Sequence, residues 1–87
     1  MYSVNFTKSA ERKVKKLTVE DREKLALVVK KLAVNPFDLS LKTHKLNGEF
    51  DGLYSCRLDY SDRVLFVIIE LDKTITIVDI GSHDEVY

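Results

Sequence analysis

Three strand-like segments in the second half of the chain, separated by turns of three residues or fewer, constrain the fold more than any other feature. Residues 53–59, 63–69 and 73–80 are rich in β-branched and aromatic side chains, with Tyr60-Ser61-Asp62 and Leu71-Asp72 between them. Connections that short permit only antiparallel neighbours. The six residues from Val64 to Ile69 are apolar at both parities, which is the pattern of a central strand. In the strand before it, Tyr54, Cys56 and Leu58 alternate with Ser55, Arg57 and Asp59, so the first set faces a core and the second the opposite side.

The first half follows other periods. Tyr2, Val4 and Phe6 alternate with Ser3 and Asn5, predicting a short first strand with one buried face. From Thr7 to Leu17, the apolar residues Ala10, Val14 and Leu17 recur at helical spacing among Lys8, Arg12, Lys13, Lys15 and Lys16, a basic amphipathic helix. Thr18 can cap a second helix, with Glu20, Asp21 and Glu23 suited to its positive end and Leu25, Val28, Val29 and Leu32 as its buried stripe. Asn35 before Pro36 is a stop signal, because proline pushes the preceding residue out of helical geometry. Residues 35–52 show no sustained period and read as a connecting loop, long for so small a chain and therefore of functional interest. The expected fold is a two-layer α+β domain of order β-α-α-β-β-β. A helical hairpin packs on one face of a small, mainly antiparallel sheet, and the other face stays partly open.

With 87 residues and 10.0 kDa, the chain is expected to form a single domain over 1–87. No apolar run approaches the ~20 residues of a membrane span, and no apolar leader follows Met1, so the expectation is a soluble, cytoplasmic protein without membrane attachment. Cys56 is the sole cysteine, which excludes an internal disulfide and a multi-cysteine zinc site. Net charge is zero, yet residues 1–45 sum to +6 and residues 46–87 to −6. A basic face can thus exist on a neutral chain, and phosphate binding is allowed rather than demanded.

The sequence lacks a glycine-rich phosphate loop, a nucleophile elbow and zinc-finger spacing. Cys56 falls on the core side of its strand and reads as a structural thiol; His44 and His83 lack metal-ligand spacing, so no metal site is assigned. What remains is His83 after the last strand, Tyr87 four residues on, Arg57 on the open face, Arg63 at the start of the next strand and His44 in the loop. Histidine exchanges protons near neutral pH and arginine stabilises phosphorane charge, a set suited to RNA cleavage without a metal. Each has a plainer role available. His83 can cap a strand end, Arg57 can pair with Asp59 or Asp62, Tyr87 can plug a core, His44 can be an ordinary loop residue, and the lysine-rich helix can be a solvated face.

The run His44-Lys45-Leu46-Asn47-Gly48, the segment Leu53-Tyr54-Ser55-Cys56-Arg57 leading to Arg63-Val64-Leu65-Phe66, and the ending Gly81-Ser82-His83-Asp84-Glu85-Val86-Tyr87 together resemble the RelE/ParE superfamily of type II toxins. The pairing of that ending with His-x-Leu-x-Gly is similar to its YafQ-like, RelE-type mRNA interferases. This resemblance implies a toxin that cleaves mRNA in the ribosomal A site, needs no metal or cofactor, and is held inactive by a cognate antitoxin. It implies proton transfer by His83, substrate positioning by Tyr87, and a loop-histidine role for His44. Arg57 falls where members carry a catalytic cation or histidine, and Asp62 or Asp59 is nearest to an acidic residue used by some. Lys8, Arg12, Lys13, Lys15, Lys16, Lys45 and Arg63 are the expected contacts to RNA or ribosome. The near-neutral charge departs from the usually basic family. The ParE branch, which poisons DNA gyrase without cutting RNA, is the main alternative, and an inactive antitoxin-binding member is another.

Overall fold

The computed structural model describes residues 1–50, 52–82 and 86. Strand β1 (Ser3–Phe6) leads into helices α1 (Lys8–Lys16) and α2 (Val19–Val34), then a 3-10 turn (Leu39–Leu41), the short strand β2 (His44–Lys45) and a second 3-10 turn (Gly48–Phe50). Strands β3 (Tyr54–Arg57), β4 (Asp62–Ile69) and β5 (Thr74–Ser82) complete it.

The helix ends are set by local chemistry. The Thr7 hydroxyl accepts the Ala10 N–H at 3.1 Å, and the Thr18 hydroxyl accepts the Asp21 N–H at 3.1 Å, each satisfying a donor with no partner inside its helix. Glu20 and Asp21 lie in the first turn of α2, and Asn35 leaves it in extended geometry (φ −158, ψ 104) ahead of Pro36. Ala10 from α1 and Leu25, Val28 and Leu32 from α2 pack on Cys56, Val64, Phe66, Ile75, Ile77 and Ile80 of the sheet. Val14, Leu17 and Val29, read as part of the buried stripes, are partly buried against that same cluster.

The two-layer α+β fold is as expected, with one addition. The sheet has five strands in the order β1-β5-β4-β3-β2, β1 joining β5 in parallel and every other pair antiparallel. The segment read as a loop supplies the extra strand: His44 and Lys45 pair with Ser55 and Tyr54. Two exposed polar residues cannot show a period of their own, so only the tertiary partner reveals this strand. The same segment also sends Leu41 into the core, 2% exposed.

In β5, Leu65 faces Asp79 but Phe66 faces Ile77, leaving Val78 as an extra residue in a β-bulge. Strict alternation from Ile75 and Ile77 would bring Asp79 into the apolar layer. With the bulge, Ile75, Ile77 and Ile80 all enter the core, while the Asp79 carboxylate ion-pairs with Lys13 of α1 and accepts the Ile80 N–H at 2.9 Å. Among the described residues, no helix is long and apolar enough to cross a membrane.

Candidate functional site

Val64, Phe66 and Ile68 of β4 belong to the helix-side core, so Arg63, Leu65, Val67 and Ile69 face away from the helices. Residues paired in register share a face. Arg57 is opposite Arg63, Ser55 is opposite Leu65, and His44 is opposite Ser55. His44, Arg57 and Arg63 therefore share the outer face. Arg57 lies two residues along β3 from the partner of His44, a diagonal relation that in antiparallel sheets spans roughly 7–8 Å or less, within reach of long side chains. The residue opposite Arg63 on β5 is Gly81, which leaves that position without a side chain.

The three differ in freedom. His44 and Arg57 are exposed, and the His44 Nδ1 lies 3.4 Å from the Lys42 carbonyl oxygen. Arg63 is engaged locally. Its Nη1 donates to the carbonyl oxygens of Asp59, Tyr60 and Asp62 at 3.2, 3.1 and 3.0 Å, so the guanidinium clamps the β3–β4 turn. Two cations directly opposite repel, and this clamp holds one of them back from the other's side chain. Part of the outer face is buried: Ser55 and Leu65 are 0% and 2% exposed, although Leu65 does not belong to the helix-side cluster.

The acidic candidates lie elsewhere. Asp62 has the same parity as Val64 and pairs with Ser82, which turns it toward the helices. There it borders a cavity of about 270 Å³ with Lys13, Lys16 and Ser82. One carboxylate oxygen from each of Asp21, Asp59 and Asp62 lies within 4.8 Å of the others, and the Lys24 ammonium stands 3.3 Å from Asp59 and 3.9 Å from Asp21. Asp59 builds the turn, its Oδ1 accepting the N–H groups of Ser61 (3.1 Å) and Asp62 (2.9 Å). Burial works against its charge, but the Asp62 N–H, Lys24 and the Ser61 N–H outweigh it and hold the carboxyl below its usual range. Neither acid shares the face of His44 and Arg57.

Cys56 is fully buried, and loss of solvent pushes its thiol up to about 12 while the Arg63 charge pulls the other way. Lys8, Arg12, Lys15 and Lys16 are exposed on α1, in the opposite layer from His44 and Arg57, whereas Lys13 is bound to Asp79. Lys45 is exposed on edge strand β2. His83 and Tyr87 lie outside the described residues. Sequence reasoning passed over Tyr60, 88% exposed at the β3–β4 turn, where its carbonyl receives Arg63; an aromatic in an otherwise polar turn was the available signal.

Comparison with known proteins gives this arrangement a context. The family model of the ParE toxin of the type II toxin-antitoxin system parDE matches residues 4–87. The protein designated RelE4 in Methanocaldococcus jannaschii is 30% identical over 90 residues, covering 100% of this chain and 92% of the relative. YafQ from E. coli superposes with a TM-score of 0.82 at 16% identity, covering 100% of this chain and 99% of that one. A chain of the archaeal RelE-RelB complex from Pyrococcus horikoshii superposes at 0.80 with 24% identity, covering 93% of each. The family match spans nearly the whole chain, and the chain belongs to the RelE/ParE family of toxins of type II toxin-antitoxin systems.

Proposed function

We propose that this toxin is a ribosome-dependent endoribonuclease that cleaves mRNA in the A site and so stops translation, and that a cognate antitoxin holds it inactive. The observation that carries the reading is the shared outer face of His44 and Arg57, one proton-exchanging group and one exposed cation at diagonal positions of adjacent strands. In the reaction, a base removes the ribose 2′-OH proton, the 2′-oxygen bonds to phosphorus, the bond to the 5′-oxygen breaks, and an acid protonates that oxygen. His44 and His83 divide the proton transfers. Arg57 stabilises the extra charge on the phosphorane, where a fixed cation counts for most. Tyr87 positions the substrate, and Tyr60 offers a second exposed ring for a base. Asp62, turned to the helix layer, takes no proton role in this scheme. Lys8, Arg12, Lys15, Lys16 and Lys45 are left as the cations that meet RNA or ribosome, since Lys13 and Arg63 have partners within the fold.

A gyrase-poisoning reading is favoured by one observation, the match to the ParE family model over residues 4–87. Primer extension on a defined mRNA in a purified translation system separates the two. Wild type should produce cuts within A-site codons that require ribosomes, and His83→Ala and Arg57→Ala should lose them. Intact mRNA with well-folded wild-type protein would overturn the nuclease reading and direct the work to a gyrase cleavage-complex assay.

A further inference from the structure

The cavity of about 270 Å³ between the end of α1 and the ends of β4 and β5 has no part in the scheme above. Ligand pockets run about 300–1,000 Å³, so this one suits a single flat ring system rather than a longer piece of nucleic acid. Its lining is of three kinds. Leu17, partly buried, and Ile80, 2% exposed, are apolar. Asp62 brings a carboxylate and Lys16 an exposed ammonium. Lys13 also lines the cavity but is bound to Asp79, whereas among the described residues no ion pair involves Lys16. The backbone of Asp62 is held on both sides: its N–H donates to the Asp59 carboxylate at 2.9 Å, and its carbonyl oxygen accepts from Arg63 at 3.0 Å. A side chain on so fixed a backbone can select among ligands rather than adapt to them.

Register ties the cavity to the outer face. Arg57, Arg63 and Gly81 stand opposite one another across β3, β4 and β5, and Asp62 pairs with Ser82 one residue further along. The cavity therefore lies at the end of the sheet that carries Arg57, about 3.3 Å beyond its row and on the other face. Apolar walls with a carboxylate and an ammonium beside them suit a nucleobase, which has an apolar face and a polar edge. The edge decides which base. Guanine alone presents two adjacent donors, N1–H and N2–H, to a carboxylate that can only accept, and it offers the acceptors O6 and N7 to a cation. Adenine, cytosine and uracil each set an acceptor beside their donor, against the carboxylate. We propose that this cavity is a guanine site, Asp62 accepting from N1–H and N2–H and Lys16 donating to O6 or N7. The base comes from a bound RNA strand or from a free guanine nucleotide, with the same recognition chemistry. In the first case the site sets where a message is cut, and that consequence alone rests on the nuclease reading above.

The test is fluorescence anisotropy with four labelled heptanucleotides that differ only in the central base, made as 2′-O-methyl RNA so that no cleavage intervenes, beside calorimetric titration with GMP and AMP. The guanine strand should bind wild type about tenfold more tightly than the other three. Asp62→Asn keeps the size of the side chain but adds donors, and it should move the preference to adenine, the usual partner of an asparagine amide. A role confined to the turn would lower the melting temperature without exchanging one base for another. Lys16→Ala should erase most of the advantage of guanine, and Lys30→Ala, which removes the same charge from an exposed position on α2 away from the cavity, should preserve it. Should Asp62→Asn fail to fold in thermal melts, Lys16→Ala against Lys30→Ala decides. GMP binding as tight as that of the guanine strand assigns the site to a free nucleotide; GMP far weaker than the strand, with the base preference intact, assigns it to RNA. Equal affinity for all four strands, or a guanine preference that survives both Asp62→Asn and Lys16→Ala, overturns the proposal. Anisotropy requires neither ribosomes nor cleavage, so the failure of the nuclease reading and of this one are separate results.

Discussion

The two faces of the sheet are built from neighbouring residues of the same strands, yet they differ in how much freedom they leave a side chain. On the helix side, Val64, Phe66, Ile75 and Ile77 are 0% exposed, Cys56 is sealed among them, and at the rim Asp59 is tied to Ser61, Asp62 and Lys24. On the outer side, His44 and Arg57 stand exposed with few contacts to the fold. A protein this small cannot surrender core positions to chemistry, so groups able to meet a substrate are pushed to the face the helices do not cover.

The harshest way to test that division is to empty one side. Phe66→Ala should cost about 3–5 kcal/mol in urea unfolding, because the ring is fully buried against Tyr54, 5.8 Å between centroids, and the cavity cannot collapse. His44→Ala and Arg57→Ala should instead leave stability within about 0.5 kcal/mol, as for surface positions in general, and lower ribosome-dependent cleavage by about a hundredfold or more. A loss of several kcal/mol at Arg57 would move it to the structural side of the comparison. If Arg57 acts in the transition state, ribosome binding should survive while cleavage falls.

How much of this was legible in the sequence depends on how local the cause is. The cap at Thr18, the stop at Asn35-Pro36 and the burial of Leu25, Val28 and Leu32 in α2 are set within one or two turns of chain and stand as read. The outward aim of Arg57 followed from alternation with Cys56 and Leu58. Strand β2 did not, because two exposed residues have no period, and its pairing to Ser55 is what brings His44 to the same face as Arg57. The bulge at Val78 also escaped, since the core spacing of Ile75, Ile77 and Ile80 fits no single period. That Arg63 is consumed by three carbonyls of its own turn is a matter of side-chain path, which no spacing rule contains.

Chemical reactivity draws the line between faces at Cys56. With its thiol pushed up to about 12, the thiolate is scarce near pH 8 and the group is buried, so alkylation by iodoacetamide should track unfolding rather than pH. Labelling of the native protein at the rate of a free thiol would mean that the sheet opens locally. Asp59 gives the acid counterpart. Its carboxyl is held below the ordinary 3.8, so its stabilisation is complete above that value and fades as pH falls through the lower, folded one. Asp59→Asn should therefore be less stable than wild type near neutrality, by about 0.5–2 kcal/mol in line with lost caps, and the difference should shrink in acid. A difference independent of pH would assign the effect to turn geometry alone.

The smallest effect is expected where the covered side hands the chain to the outer face. Lys42 ends the first 3-10 turn in the left-handed region (φ 54), two residues before His44. A side chain there costs roughly 1–2 kcal/mol of strain that glycine avoids, but glycine also frees the unfolded chain and gives back about 0.4–1 kcal/mol. Lys42→Gly should thus raise stability by no more than about 1.6 kcal/mol and leave cleavage within twofold. The useful outcome is a split between the two readouts. Should cleavage fall well beyond twofold while the melting temperature holds or rises, the Lys42 bend is a device for aiming His44, and the outer face owes its order to one backbone conformation rather than to packing.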